Sequence, residues 1–358
     1  MRQFNIDFFD RTLSFVYHDV CTDPTIEEDY LNLTQNTIEI GTDTGVSNGY
    51  FIYMTSGDIK FFGVVTDVSP GDHVTTIRYK PFLSLFDEDL VFDTSLQNKS
   101  NQRSLELVLK DYIEQEYKNS SDTLQNLPIS VSVATSTTNW TLGLESDNEE
   151  LHYTVTGLFK VLIVEAMKKY GIGLNVTPNF GTKRINITIS TFSLKLDIDG
   201  MLDNVTVKTL KANDRPDGLN KLEVYDATDY VNKITFYLYT DRTWGYEDKK
   251  RITPVAKEVT AVNPDSSYSD PSEAFLSAAA DAAYSRLAGL AWDNLIELEV
   301  MPNDPLVDAL NLQYGQTVSL WYQGGQYVSI LTGRTITPDH ILLTFGSERI
   351  QFTKRSRR

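Results

Sequence analysis

Apolar and polar positions along the chain follow two spacings, and the points where one gives way to the other divide it. Residues 1–98 hold short runs in which buried-type and polar residues alternate every second position, the period of a half-buried strand. Residues 50–54 and 59–68 are two such runs, separated by Ser56-Gly57-Asp58 in the run–turn–run pattern of a hairpin. Pro70-Gly71-Asp72 turns the chain again before residues 74–79. Residues 81–92 mix aromatics with Asp87-Glu88-Asp89 and read as a loop or short turn leaving this first barrel.

The spacing then changes to three and four. Leu105, Val108, Leu109, Tyr112, Ile113 and Tyr117 predict a helix over residues 101–118. Val155, Leu158, Phe159, Leu162, Ile163, Ala166, Met167 and Tyr170 predict a second over 154–170, stopped by Gly171, which takes positive φ without a Cβ clash. Ile185-Asn186-Ile187-Thr188-Ile189 alternates strictly and predicts a strand, so residues 99–200 read as a small α/β module.

Strand periodicity returns from Met201, at residues 222–225 and 233–239. Residues 242–254 form a charged stretch that is expected to leave this sheet. Asp270-Pro271-Ser272-Glu273 is a helix start, with aspartate as cap and proline at the first helical position. The helix is alanine-rich and is expected to run to about Gly289. Residues 294–301 then re-enter the sheet, and 315–322, 327–334 and 341–345 form a meander turned at Gly324-Gly325 and Pro338-Asp339. The prediction is an α+β, mainly β fold. It has two small antiparallel β-barrels, 1–98 and 201–245 with 295–358, plus the 99–200 module and a helix-containing insertion at 246–294.

Composition narrows the class. A chain of 358 residues, 41% of them hydrophobic, can fill several cores, and 17 Phe with 19 Tyr exclude a disordered polymer. No apolar run reaches the length of roughly 18 residues that a membrane-spanning segment needs. Met1-Arg2-Gln3-Phe4-Asn5 has no apolar signal region, so Sec export is not expected. Cys21 is the single cysteine, so folding on core packing alone in a reducing compartment is expected. The net charge of −17 argues against nucleic-acid binding and for solubility, or for a surface that repels a polyanion. Lys354-Arg355-Ser356-Arg357-Arg358, the one basic run, reads as a solvated tail or a contact with an acidic neighbour.

Candidate chemistry is sparse. His18, His73, His152 and His340 lack ligand spacing, and Cys21 lacks a nucleophile signature. No nucleophile elbow, zincin, phosphate-loop or dinucleotide motif is present. Two carboxylates suffice for a glycosidase, which brings in Glu27-Glu28-Asp29, Asp87-Glu88-Asp89 and the acids of residues 147–150. All three clusters sit in polar, loop-like stretches where carboxylates stay hydrated and keep ordinary acidity. Asp197-Ile198-Asp199-Gly200 resembles the start of a calcium loop, but glycine comes too early and no glutamate follows at the twelfth place. Asn139-Trp140-Thr141 has the form of a glycosylation triplet, which has no meaning without a secretory route. Trp140, Trp244, Trp292, Trp321 and Tyr322 read as core or interface residues before a sugar platform, because they are scattered. No catalytic, cofactor-binding or metal-ligating residue is expected.

One family does fit the order of these segments. The hairpin Tyr53-Met54-Thr55-Ser56-Gly57-Asp58-Ile59-Lys60-Phe61-Phe62-Gly63-Val64-Val65 and the following Ile77-Arg78-Tyr79-Lys80-Pro81-Phe82 resemble the first barrel of tailed-phage tail-tip hub proteins. Asn232-Lys233-Ile234-Thr235-Phe236-Tyr237-Leu238-Tyr239 and Arg251-Ile252-Thr253-Pro254-Val255 resemble the second barrel and its insertion. The close, from Leu312-Gln313-Tyr314-Gly315 to Leu342-Leu343-Thr344-Phe345-Gly346, fits as well. These hubs are the structural amino-terminal part of siphophage tail-associated lysin proteins, similar to the central baseplate hub of contractile phages. The resemblance implies a homotrimer in the virion whose paired barrels adapt a six-fold tail to a three-fold tip and close or gate the DNA channel. It implies as partners the distal tail protein ring, the tape-measure protein and receptor-binding proteins, with DNA passing unbound. Lytic activity is not carried over, since many relatives have their cutting domain after the hub and this sequence stops at Arg358. A cell-wall hydrolase using paired carboxylates and a carbohydrate-binding tail adhesin remain the alternatives.

Overall fold

A computed structural model describes residues 3–22, 24–57, 59–97, 103–134, 140, 142, 144, 152–191, 193–197, 205–211, 219–239, 243–251, 256–264, 269–287, 294–301 and 315–346. The fold is mainly β, built on two curled half-barrel sheets.

The amino-terminal strands are β1 (Gln3–Phe9), β2 (Phe15–Thr22), β3 (Ile26–Asp29), β4 (Asn36–Ile40), β5 (Phe51–Ser56), β6 (Ile59–Pro70) and β7 (Thr75–Pro81). Six of them form one sheet in the order β2-β1-β5-β6-β7-β4. Period-two patterning puts Phe4, Ile6 and Phe8 of β1 and Ile77 and Tyr79 of β7 on the inner face. Gly57, at φ +59°, makes the predicted hairpin turn between β5 and β6. The sheet curls far enough that Gly41 N, just past β4, donates to Asp19 Oδ2 on β2 at 2.8 Å.

Where a loop or short turn is expected, residues 82–93 form a short turn and then a strand. Phe82–Phe86 is a 3₁₀ turn with Phe82, Leu83 and Phe86 buried, and β8 (Asp89–Asp93) follows. The first predicted helix is α1 (Leu105–Tyr117), and β9 (Ile129–Val133) comes next. The second is shorter than its periodicity suggests. Its start is β10 (Tyr153–Gly157), paired with β8, and the chain then winds through a π-turn at Leu158–Ile163 into α2 (Val164–Tyr170). Thr154, Val155 and Thr156 are β-branched, and the strand buries the two threonines while Val155 faces out. Gly171 caps α2 at φ +65°, as expected. β11 (Ile172–Asn179) and β12 (Arg184–Thr191) complete a three-stranded sheet, β11-β12-β9, against which α1 packs.

The second half-barrel takes β13 (Ser193–Asp197) and β14 (Val205–Lys211) from the middle of the chain. β15 (Leu219–Asp226), β16 (Lys233–Leu238), β17 (Trp244–Gly245) and β18 (Ala256–Val262) form a separate sheet, β17-β16-β15-β18. α3 (Pro271–Leu287) covers that sheet, and β19 (Leu295–Val300), β20 (Thr317–Tyr322), β21 (Gly325–Ile336) and β22 (Ile341–Gly346) return to the half-barrel. Its order is β13-β20-β21-β22-β19-β14, with β3 added against β21.

This corrects the placement of residues 201–245 in the second barrel, since among the described residues of that stretch only β14 goes there. Of residues 242–254, the described 243–251 do not leave the sheet as expected either, because β17 pairs with β16 and Arg251 bridges to Tyr239. The physical reason is the apolar face of the four-stranded sheet. Leu222, Val224, Phe236 and Leu238 match the flat stripe Ala279, Ala283 and Leu287 of α3, forming a core of their own. Asp270 caps α3 as predicted, accepting from Ser272 N at 2.8 Å.

Two features make the half-barrels one body. The longest strand in each, β6 and β21, shifts register midway, between Val65 and Asp67 and between Leu331 and Gly333, which bends the sheet. Their inner faces meet in a single cluster that runs from Phe4, Phe8 and Phe61 to Leu298, Leu343 and Phe345. Both half-barrels therefore share a core rather than facing each other across a linker.

Candidate functional site

The sequence-predicted chemistry does not converge. His18 Nδ1 lies 2.7 Å from Asp7 Oδ1 on β1, while His340 Nε2 lies 3.5 Å from Glu299. His152 sits in a left-handed turn where its carbonyl accepts from Thr94, and His73 is in the β6–β7 turn. Cys21 is half-buried on β2. Trp140 is core, its Nε1 donating to the Arg103 carbonyl at 2.8 Å. Trp244 packs edge-on against Phe236 in the insertion, and Trp321 is exposed at the end of β20. Among the described residues no group of three His, Cys, Asp or Glu is placed to hold a metal. Residues 147–150, Asp199, Gly200, Trp292 and the basic run at 354–358 lie outside the described residues.

The acid clusters divide. Asp87 pairs with Lys160 at 3.0 Å, Glu88 accepts from Gln125, and Asp89 opens β8. Glu27-Glu28-Asp29 is no solvated loop: it is β3, the strand that crosses to the second half-barrel. Its alternation buries Ile26 and Glu28 together. Glu28 is brought against Arg334 of β21, whose Nε donates to Glu28 Oε2 at 2.5 Å and whose Nη2 reaches the Lys60 carbonyl on β6 at 3.3 Å. The guanidinium thus ties three strands from both half-barrels. A run of three acids gives no hint of this, because the partner lies 306 positions away.

Neighbouring groups hold the same junction. Tyr30 donates its N–H to the Thr332 carbonyl and its hydroxyl to the Leu174 carbonyl, both at 2.9 Å. Burial pushes the Tyr30 phenol well above its usual range, with the Glu28 charge adding to the effect. Tyr79 is raised for the same first cause. Both phenols stay neutral; Tyr30 acts as a donor, and Tyr79 serves as packing surface.

A second charged centre lies on the insertion sheet. Glu223 is set among Lys221 at 2.8 Å, Lys257 at 3.2 Å and Lys233 at 3.8 Å. The Lys221 hydrogen bond is the main force holding its carboxyl down at about 2, and Lys257 assists against the opposing pull of burial. Because the folded pKa is depressed, the stabilisation is complete above the unfolded value near 4.5 and drains away as pH falls through about 2. Urea melts of the wild type and of Glu223→Gln should therefore differ at about pH 7 and converge toward about pH 2. A difference that persists unchanged at the acid end would contradict the assignment.

No protein-family model matches the chain, and no curated protein matches it by sequence. Solved structures match its fold. The 43 kDa tail protein of prophage MuSo2 from Shewanella oneidensis superposes with a TM-score of 0.51 at 12% identity, over 95% of this chain and 98% of that one. The tail protein from Neisseria meningitidis MC58 gives 0.48 at 11% identity, over 97% of each chain. A chain of the phage P2 baseplate in its activated conformation gives 0.44 at 14%, over 96% of this chain and 98% of that one. At these identities the likeness is one of fold. The chain has the fold of a phage tail protein along nearly its whole length.

Proposed function

We propose that the chain is a structural hub subunit of a phage tail tip or baseplate. The carrying observation is the pair of bulged, curled sheets fused on one core within a fold shared with the MuSo2 tail protein. Two like half-barrels per chain let three copies present six around an axis, so that a three-fold tip can seat on a six-fold tube. The hub would then close or gate the DNA channel and meet the distal tail protein ring above and the tape-measure protein within, with receptor-binding proteins mounted outside. The net charge of −17 suits a bore along which DNA slides without sticking. The reading is non-enzymatic: Glu28 and Asp87, which paired-carboxylate hydrolysis would draw on, are each held by a cation.

Purified virions test the proposal. Quantitative mass spectrometry should find the chain in the particle at three copies per tail. Its absence from the particle, or a copy number that tracks the tail-tube subunit, would contradict it.

A further inference from the structure

The four-stranded insertion sheet has α3 on one face, and among the described residues nothing covers the other. On that open face the alternation of β15, β16 and β18 aligns Lys221 with Tyr237, Tyr225 with Lys233, and Lys221 with Lys257. Lys249, Lys250 and Arg251 extend it beyond β17. Arg251 and Lys221 lie over the Tyr237 ring at 5.7 and 6.0 Å, and Lys250 over Tyr239 at 5.8 Å. The carboxylates among them are Glu223, Glu247 and Asp248, half as many as the cations, whereas the whole chain is strongly acidic. The face also carries an open aliphatic side chain, Val259, which is 53% exposed. Tyrosine rings capped by cations, beside an open aliphatic residue, make a protein-docking surface rather than a stacking platform for bases or sugars.

Charge complementarity decides the occupant. The same chain carries a face of opposite character on the β8–β10 pair. There Val91 and Val155 sit directly across from each other, 60% and 62% exposed, and Asp89 and Asp93 lie on the same side of β8. We propose that the basic tyrosine face of the insertion sheet docks on the acidic β8–β10 face of a second copy of this chain. Such a contact joins two different patches, so it propagates from copy to copy and closes a ring when the rotation allows. The inference rests on the hub reading for the presence of adjacent copies, and it identifies what the outer modules do there.

Full-length wild type, a Lys249→Glu/Lys257→Glu variant, and that variant with Asp89→Lys added would be compared by light scattering across a salt series. The reversed chain should associate at least about tenfold more weakly than wild type, and the compensating lysine should restore most of the loss. Wild-type association should itself weaken as salt rises. Circular dichroism melts confirm that each variant is folded. A second pair, Val259→Ser and Val155→Ser, tests the apolar part without changing charge, and each should weaken association. Equal association of all the chains would overturn the docking face and leave the hub reading standing. A wild type monomeric at every salt concentration overturns the contact as well, and the hub reading is then decided separately by copy number in the virion.

Discussion

Glu28→Ala is expected to lower the stability of the whole fold by about 3–5 kcal/mol, the range for removing one member of a buried ion pair. The effect is large because the variant leaves the Arg334 guanidinium buried without its counter-ion, at the point where β3, β6 and β21 meet. Charge, not packing, carries most of it. Glu28→Leu combined with Arg334→Met, which keeps the volume and removes both charges, should recover most of the loss. Urea denaturation of the single and double variants measures this directly. A loss below about 1 kcal/mol for Glu28→Ala would place the pair with surface bridges and remove β3 as the tie between the half-barrels.

The second large effect concerns the shared core. Phe345→Ala should cost about 3–5 kcal/mol, because the ring is fully buried in the second half-barrel and its loss leaves a cavity. The diagnostic result is where the loss is felt. Phe345 belongs to the same cluster as Phe4, Phe8 and Phe61 of the first sheet. Hydrogen exchange should therefore speed up in β5 and β6 as much as in β21 and β22, since one core opens in one step. Faster exchange confined to β19–β22 would show two independent cores and contradict the architecture.

Much of this fold was legible in the residues, because the governing interactions were local. Ser56-Gly57-Asp58 between alternating runs marks the β5–β6 hairpin, Gly171 the end of α2, and Asp270-Pro271 the start of α3. Each is a backbone requirement met by one residue type at one place. The misses have a common cause. β10 lies in a stretch whose apolar spacing also suits a helix, and only its pairing with β8 settles the matter. Residues 222–225 and 233–239 show a strand pattern but not which sheet it joins. That choice depends on a parallel partner at 256–262 and on the match to α3. β3 is the plainest case: an acidic tripeptide gives every local sign of solvent exposure, and a distant arginine reverses it. The candidate site was least legible for this reason, since the junction and the basic insertion face exist only once strands from separate parts of the chain lie side by side.

Cryo-electron microscopy of the assembled tail tip, with no symmetry imposed at first, decides whether the chain is a three-fold hub. Three copies of the chain are expected about the tail axis, their six half-barrels forming one ring that continues the six-fold tube. A ring built from six copies, or a two-fold arrangement with the half-barrels apart, would contradict it.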